Sequence, residues 1–288
     1  MLSIITVTYH SESVMNEFMA SLDRIRSQIG ERVELVLHDN SVRNIGLSKA
    51  TNLLLQRASG DIVLFTNPDV IFHEGISDMI RFVRDNTNFG AVPLFIGYNV
   101  NRRFPTATRI IISYTRIGAL LKRVGLSWVY DDYHSSNHNR TIEQPGGSFL
   151  MMSKKAINKL SDIASFYDER FPVFWNDVDL AVRAKKCGIM FVQIPSCKIR
   201  HSGGHSSKGV DVARLSMLFY SSAGMMGFLR KWKMHPNLVR FSIFLDSVLF
   251  LMVKLFSSLR RNKGDTFGAK GLRAETRMWI LRLRSTFY

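Results

Sequence analysis

The sequence predicts an α/β fold in which helices cover both faces of a mostly parallel, doubly wound sheet. Strand patterns and amphipathic helix patterns alternate along the first hundred residues, which is typical of strands joined by right-handed helical crossovers. The run Ile62–Phe65 is apolar throughout and is bounded by polar turn residues, as expected of a strand buried on both faces. Because ligands of such sheets bind at the carboxyl ends of the strands, the residues that follow each strand are the first candidates for a functional site.

The individual elements follow from these patterns. Strands are predicted over residues 2–10, 33–41, 61–66, 89–96 and 189–195, and helices over residues 16–28, 46–59, 75–87 and 177–187. An apolar strand followed by a helix is predicted within residues 146–160. Gly188 follows a helix that ends in two lysines, so it is expected at the C′ position. The stretch 97–145 has polar clusters around the apolar segment RIIISYTRIGALL and is expected to be an inserted or mobile region.

Composition bounds the class of protein. The 288 residues carry a formal net charge of +16, and their hydrophobic content of 46% is that of a chain with a real core rather than a disordered one. Cys187 and Cys197 offer neither a disulfide framework nor zinc-ligand spacing, and we expect no signal peptide before the first strand. A cytoplasmic catalytic domain is therefore expected over residues 1–213, with a nucleotide-binding half over 1–97 and an acceptor-side half over 98–213.

The C-terminal region, residues 214–288, has a different character. It holds 14 Lys/Arg against 3 Asp/Glu, a net +11, and contains the apolar segment 241–259. Asp246 and Lys254 within that segment would each cost about 2.5–3.5 kcal/mol at the centre of a bilayer. We therefore predict a basic, amphipathic helix that lies in the headgroup plane of an anionic membrane. A helix packed on the main domain and a true membrane span are the alternatives.

Two aspartates lie at the ends of predicted strands. Asp39 lies in the polar end of the second strand and Asp69 lies just past the third, so both belong to the same predicted edge of the sheet. One carboxylate can accept a hydrogen bond from the imide N–H of a uracil or thymine ring, and another can hold a divalent cation against a diphosphate. Together they describe a sugar-nucleotide pocket. Turn formation is the alternative explanation for each, with Asp39 and Asn40 forming an Asx turn and residues 67–69 a tight turn.

The segment FPVFWNDVDLAVRAKKCG combines a helix start with possible chemistry. Asn176 or Asp177 can cap the helix, and with Asn176 as the N-cap, Asp179 would lie at N3 in the positive first turn. This is a complete structural explanation for the three residues. The segment also places an aromatic wall in front of a carboxylate, formed by Phe171, Phe174 and Trp175. Such a setting raises the pKa of a carboxyl group and suits a general base.

Histidines supply the remaining polar clusters. His201 and His205 occur in IRHSGGHSS with a loop-like spacing, and one of them can complete the coordination of a metal held by Asp69, with polar surface as the alternative. The segment YDDYHSSNHN holds a rival cluster, interpreted as a solvated acceptor-side loop: Asp131, Asp132, His134 and His138.

The order of the motifs resembles glycosyltransferase family 2, and within it a rhamnosyltransferase-like branch with an Asn-Pro-Asp turn. The motifs that carry the resemblance are SIITVTYH, LVLHDNS, NIGLSKATN, GDIVLFTNPDV, PGGSFLMMSKKAI, FYDERFPVFWNDVDLAVRAKKCG and IRHSGGHSS. The resemblance extends over residues 1–220. It implies the GT-A nucleotide-diphospho-sugar transferase fold and an inverting reaction.

The resemblance also implies roles for individual residues. The residues matched to nucleotide and donor binding are Thr8, Tyr9, Asp39, Asn44, Gly46, Asn52 and Asn67. Those matched to the donor sugar and acceptor are Gly147, Ser148, Trp175 and Asn176. Asp177 matches the catalytic base, and Asp69 with His201 matches the site of a divalent cation, Mg²⁺ or Mn²⁺. Two positions depart from the family pattern, because Asn176 stands where Glu is usual and Asn67 replaces the first acid of an Asp-x-Asp element.

The function implied is sugar transfer in surface polysaccharide biosynthesis. A sugar, rhamnose from dTDP-rhamnose as the first expectation and a hexose from a UDP donor as the second, would pass to a lipid-linked or growing glycan. The basic tail fits a polyprenyl-diphosphate acceptor at the inner face of the cell membrane, and Arg102 and Arg103 can face either diphosphate. Two alternatives of another class are a basic protein that binds nucleic acid, which the pI of 10.1 allows, and a transferase-like membrane scaffold without catalysis.

Overall fold

The computed structural model describes residues 1–97, 101–126, 140–161, 165–201 and 211–260. The chain divides into two compact units, one formed by residues 1–104 and 132–208 and the other by residues 105–131 and 209–288. Residues 105–131, which the sequence places in the acceptor-side half, thus group with the C-terminal helices. The domain boundary at residue 213 stays a prediction.

The elements are numbered in chain order. The strands are β1 (Leu2–Thr8), β2 (Val33–Asp39), β3 (Ile62–Thr66), β4 (Val70–Glu74), β5 (Phe89–Gly97), β6 (Arg140–Ile142), β7 (Phe149–Ser153) and β8 (Met190–His201). The helices of the first unit are α1 (Glu12–Arg26), α2 (Leu47–Arg57), α3 (Ile76–Asp85), α6 (Lys154–Ser161) and α7 (Asn176–Lys186). Those of the second unit are α4 (Ala107–Tyr114), α5 (Arg116–Arg123), α8 (Asp211–Lys231) and α9 (Pro236–Arg260).

The strands of the first unit form one sheet in the order β2-β1-β3-β7-β5-β8-β4, and β6 pairs with β8 outside this order. Strands β1, β2, β3, β5 and β8 run in one direction, and β4, β6 and β7 run in the other. The predicted α/β fold with a mostly parallel sheet is therefore confirmed. The antiparallel strands lie away from the β2-β1-β3 end, where the parallel register brings three carboxyl ends to one edge.

Helices bury both faces of the sheet. Alternate residues of β3 contribute to different cores: Ile62 and Leu64 belong to the cluster that includes residues of α1 and α3, whereas Val63 and Phe65 belong to the cluster that includes residues of α2, α6 and α7. All five residues of β3 are buried. Each large apolar side chain buried in this way contributes about 1.5–3 kcal/mol. The predicted buried strand is thus confirmed, and it fixes the backbone just before Asn67 between two cores.

Most predicted elements occur within a few residues of their expected ends. Gly188 has φ +67° directly after Cys187, the C-cap of α7, as expected of a C′ glycine. Strand β8 continues beyond the predicted end at residue 195 as far as His201, because it pairs with both β5 and β4. Strands β4 and β6 and helices α4 and α5 were not predicted as separate elements.

Among the described residues of the second unit, one helix is long and apolar enough to cross a membrane by length and composition. Its window Pro236–Val253 has a mean hydropathy of 1.5. The predicted apolar C-terminal helix is thus present as part of α9. One face of α9 is buried within the unit, through residues that include Val239, Ile243 and Asp246.

Candidate active site

The carboxyl ends of β1 and β2 hold the first group of predicted residues. Thr8 is the register partner of Asp39, and its hydroxyl donates to Asp39 Oδ1 at 3.2 Å. The backbone N–H and the hydroxyl of Ser41 donate to the same oxygen at 2.9 and 2.6 Å, which is the predicted Asx turn. The Ser41 hydroxyl is the main cause that lowers the pKa of Asp39. Asp39 and Tyr9 are both exposed, so an ionised carboxylate and an aromatic ring are open to solvent at this edge.

The loop before α2 is organised by its own side chains. Asn44 Oδ1 accepts the Gly46 N–H at 2.9 Å, and Gly46 has φ +85° as the N-cap of α2. A Cβ on Gly46 would lie 3.1 Å from Pro172 Cβ, so the loop lies closely against the segment before α7. Asn52 Nδ2 donates to the Tyr167 carbonyl and Asn52 Oδ1 accepts the Tyr167 N–H, both at 2.9 Å. The Asn44 and Asn52 side chains therefore form hydrogen bonds that stabilise the loop before α2 and its neighbour. Their contacts with a nucleotide stay predictions.

The Asn-Pro-Asp turn connects β3 to β4 and brings a carboxylate to a histidine. The Asn67 N–H donates to the Ser148 carbonyl at 3.0 Å, which ties the turn to the start of β7. Val70, the first residue of β4, pairs with His201, the last residue of β8. As a result Asp69 Oδ1 lies 3.5 Å from His201 Nε2, and both side chains are buried.

Asp69 and His201 are the candidate metal ligands. Within the described ranges, no group of three or more His, Cys, Asp or Glu side chains is arranged to hold a metal ion. An oxygen and a nitrogen 3.5 Å apart can nevertheless occupy adjacent positions on one divalent cation. Mg²⁺ in nucleotide enzymes is usually held by one or two carboxylates, with phosphate oxygens and water as the other ligands. The donor set therefore fits a cation shared with a diphosphate. His205 lies outside the described residues.

Asp177, in the first turn of α7, has the surroundings of a general base. Its Oδ2 accepts the Gly147 N–H at 3.2 Å, its Oδ1 accepts the Val178 N–H at 2.8 Å, and Gln144 Nε2 lies 3.5 Å from Oδ2. Burial raises the pKa of the Asp177 carboxyl group, although the two N–H groups and the charge of Arg102 oppose the shift. A carboxylate with a raised pKa is a stronger base once it is ionised.

The predicted cap of α7 is wrong. The N-cap is Trp175, which has φ +70° and makes no side-chain cap bond, and the helix begins at Asn176. Asp179 therefore lies one position beyond the predicted N3. The Asn176 side chain is only 4% exposed, and its amide donates to Ser48 Oγ at 3.1 Å. Because the Ser48 hydroxyl itself donates to the Phe171 carbonyl, Asn176 ties the start of α7 to α2 and to the loop before α7.

Residues of the loop before α7 complete the surroundings of Asp177. A Cβ placed on Gly147 would lie 3.5 Å from Asp177 Cβ and 3.6 Å from the Tyr167 hydroxyl, so all three residues meet. Tyr167 is buried, and its burial together with the Asp177 charge raises the pKa of its hydroxyl. Tyr167 and Gln144 were not predicted as site residues from the sequence. Tyr167 lies inside the FYDERF motif, but nothing in its pattern distinguishes it from a core aromatic residue.

A small recess is lined by Asn67 of the turn and by Gly147, whose N–H donates to Asp177. It has a volume of about 20 Å³, and its lining includes Asn67, Gly147 and Tyr167 together with Thr51 and Thr66. This is room for about one water molecule. A nucleotide sugar would therefore lie along the outer edge of the sheet rather than inside this recess. Asn67, Ser148, Gly147 and Asp177 are thus connected by direct contacts, and the rival cluster at residues 131–138 lies outside the described residues.

The chain is distantly similar to known proteins in sequence and in structure. No protein-family model matches the chain. The sequence is 24% identical to the rhamnosyltransferase WbbL of Escherichia coli K-12 over 162 residues. The match covers 52% of this chain and 56% of WbbL, so it spans about half the length of that relative. The chain also superposes on a structure of GalNAc-T7 with UDP, GalNAc and Mn²⁺, with a TM-score of 0.47 and 11% identity over 80% of this chain and 47% of the other. For S. aureus TarS 1–349 the TM-score is 0.45, with 15% identity over 99% of this chain and 79% of the other.

The sheet and the sequence likeness together define what the chain shares with known proteins. It has an α/β fold with a mostly parallel sheet, and it is similar in sequence to a bacterial rhamnosyltransferase.

Proposed function

We propose that the protein is an inverting family 2 glycosyltransferase that uses a nucleotide-diphospho-sugar donor. The observation that carries the proposal is the placement of Asp177. This carboxylate has a raised pKa and accepts the N–H of Gly147, and Gly147 lines the same recess as Asn67 of the Asn-Pro-Asp turn. Asp177, the proposed base, is thus linked through Gly147 and Ser148 to the turn that carries the candidate metal ligand Asp69.

The donor would bind along the edge formed by β1, β2 and β3. Asp39 Oδ1 accepts three hydrogen bonds from Thr8 and Ser41. The other carboxylate oxygen, Oδ2, can accept the imide N–H of thymine or uracil. Tyr9 offers an exposed ring beside it. We propose dTDP-rhamnose as the donor, supported by the likeness to a rhamnosyltransferase, with a UDP-hexose as the second candidate.

The reaction would be a single displacement at the anomeric carbon. Asp177 takes the proton of the acceptor hydroxyl, that oxygen forms the new glycosidic bond, and the bond to the nucleoside diphosphate breaks on the opposite face. Gly147, through its N–H, and Gln144 orient the Asp177 carboxylate. A divalent cation held by Asp69 and His201 would neutralise charge on the departing diphosphate.

The acceptor would be a lipid-linked glycan at the cytoplasmic face of the cell membrane. The support is the net +11 of residues 214–288 together with the apolar helix α9, which suit an anionic lipid surface. Nucleic acid is a less suitable partner, because the positive charge coincides with Phe-, Leu- and Met-rich segments rather than with a recognised nucleic-acid module.

The proposal is tested by sugar transfer to polyprenyl-diphosphate glycans in detergent. The purified chain is incubated with dTDP-rhamnose, UDP-galactose or UDP-glucose, and the anomeric configuration of the product is determined by NMR. We expect transfer from one donor, inversion at the anomeric carbon, and a loss of about 10²–10⁴-fold in rate for Asp177→Asn. Retention of configuration, or an unchanged rate in Asp177→Asn, would overturn the proposed mechanism.

A further inference from the structure

Helix α9 has an apolar stripe on its exposed side as well as an apolar buried side. The exposed residues recur at helical spacing: Leu238, Phe241, Leu245, Leu249 and Met252. A spacing of three and four residues places side chains on one face of a helix. In a soluble helix that face is normally polar, so the stripe on α9 needs an apolar partner.

Helix α5 carries a second stripe of the same kind. Ile117 and Leu120 lie on its exposed side at helical spacing, and Val124 follows directly after its last residue; Leu120 is 61% exposed and Val124 60%. Gly118 brings another side of α5 into close contact with α4. A Cβ added at Gly118 would lie 2.3 Å from the Ile112 carbonyl oxygen of α4. Helix α5 therefore cannot rotate its apolar stripe inward without losing this close contact with α4.

An ion pair joins the two helices between the stripes. The backbone N–H and Nε of Arg116 both donate to Asp246 Oδ1 at 3.1 Å, and Arg116 Nη2 donates to the Asp246 carbonyl at 2.9 Å. Asp246 is buried and is the one acidic residue in the sequence of α9. Its neighbour Leu245 and the neighbour of Arg116, Ile117, belong to the two exposed stripes. The pair thus neutralises the acidic residue and connects the first residue of α5 to the middle of α9.

Basic residues lie at both ends of the apolar part of α9. Lys231, Lys233 and Arg240 precede it, and Lys254 and Arg260 follow it in the sequence. Between them, residues 241–253 contain no basic residue and extend about 20 Å at 1.5 Å per residue. The hydrocarbon core of a bilayer is about 30 Å thick, so a crossing helix would bring Arg240 or Lys254 into the hydrocarbon, whereas a helix that lies on the membrane keeps both at the headgroups.

We propose that α5 and α9 form one docking face for an anionic lipid bilayer, in which the stripe of α5 is a second anchor beside that of α9. The inference rests on the membrane location in the proposed function and adds to it the helix and the ion pair responsible. A second copy of this chain is a poorer occupant, because the basic residues that flank the stripes would repel their counterparts, whereas they attract anionic headgroups.

The test is flotation of the full chain with vesicles of phosphatidylcholine, with or without phosphatidylglycerol. We expect binding to the anionic vesicles that weakens with salt. Leu120→Glu on α5 and Phe241→Glu on α9 should each raise the lipid concentration for half-maximal binding by about tenfold or more. Met190→Glu, at an apolar residue of β8 that is 49% exposed, is the matched control and should bind like the wild type. Melting temperatures establish that the variants are folded. If Leu120→Glu does not fold, Leu120→Gln is used in its place.

The outcomes separate this inference from the proposed function. Wild-type binding that is lost in Phe241→Glu but retained in both Leu120 variants would overturn the role of α5 and leave sugar transfer untouched. Absence of wild-type binding to anionic vesicles would overturn both the docking face and the proposed membrane location, while donor binding remains a separate measurement. A dimer that dissociates in Leu120→Glu or Phe241→Glu would show that the stripes bind a second copy, which also contradicts the inference.

Discussion

Replacing Asp179 by Asn is expected to destabilise the first unit strongly, because it removes the charge that faces a buried guanidinium group. Asp179 is fully buried, and Arg183, which is 4% exposed, donates from Nε to Asp179 Oδ2 at 2.9 Å. Loss of one partner of a buried ion pair costs about 3–5 kcal/mol. At about 2–4 °C per kcal/mol for a domain of this size, the melting temperature should fall by about 6–20 °C. Thermal unfolding followed by circular dichroism measures the change.

The same substitution should also affect the active site. Arg183 donates to the Ser165 and Phe166 carbonyls at 3.2 and 2.6 Å, and the Phe166 ring stacks on Phe65 at 4.2 Å. The next residue is Tyr167, whose hydroxyl lies near Gly147 and Asp177. Loosening Arg183 should therefore displace this hydroxyl and reduce kcat at temperatures where the variant is still folded.

An exposed ion pair provides the matched control. Asp23 and Arg26 on α1 form a solvent-exposed pair at 2.9 Å, so Asp23→Asn should cost less than about 1 kcal/mol. The double variant Asp179→Leu/Arg183→Leu should recover part of the stability lost in Asp179→Asn, because it leaves no unpaired buried charge. If Asp179→Asn is as mild as Asp23→Asn, the pair does not hold the loop before α7 as described.

Three further substitutions test other parts of the structure. Asp177→Asn should lower the transfer rate by about 10²–10⁴-fold yet raise the melting temperature at neutral pH, because burial raises the pKa of Asp177. The penalty for ionising Asp177 is absent below its unfolded-state pKa and grows as pH rises towards its folded-state pKa, so the difference in melting temperature between variant and wild type should vanish in acid. Gly75→Ala should lower the urea midpoint far more than Gly97→Ala, since both glycines have positive φ but only at Gly75 would Cβ lie 1.9 Å from a carbonyl oxygen. Asn176→Glu should cost about 1–3 kcal/mol in urea unfolding, because it buries a carboxylate and removes the amide that donates to Ser48.

The sequence predicted the parts of the fold that depend on local patterns. The apolar run of β3, the alternation of strands and helices and the glycine after α7 all reflect periodicity or backbone conformation, which a single sequence records. Strand β4 was missed because it is only five residues long and directly follows a turn. Its pairing with β8 is a long-range contact that no local pattern expresses.

The candidate site was predicted unevenly for the same reason. Asp39, Asp69 and Asp177 stand out because each carboxylate lies at or just past the end of a strand, or at a helix start. The N-cap prediction at Asn176 failed because the chain enters α7 through a left-handed residue, and Asn176 is then turned towards Ser48 by tertiary contacts. The proximity of the Tyr167 hydroxyl to Asp177 depends on the loop before α7 lying against α2, which follows from contacts between residues more than a hundred positions apart.

Isothermal titration of dTDP and of UDP, each with and without Mn²⁺, is the most direct test of a sugar-nucleotide site at the sheet edge. It is performed on the wild type, on Asp69→Ala and on the exposed control Asp23→Ala. We predict that the wild type and the control bind one of the nucleotides only when Mn²⁺ is present, and that a folded Asp69→Ala variant does not. Absence of binding to either nucleotide, or metal-dependent binding that survives in Asp69→Ala, would contradict the assignment of this edge as the donor site.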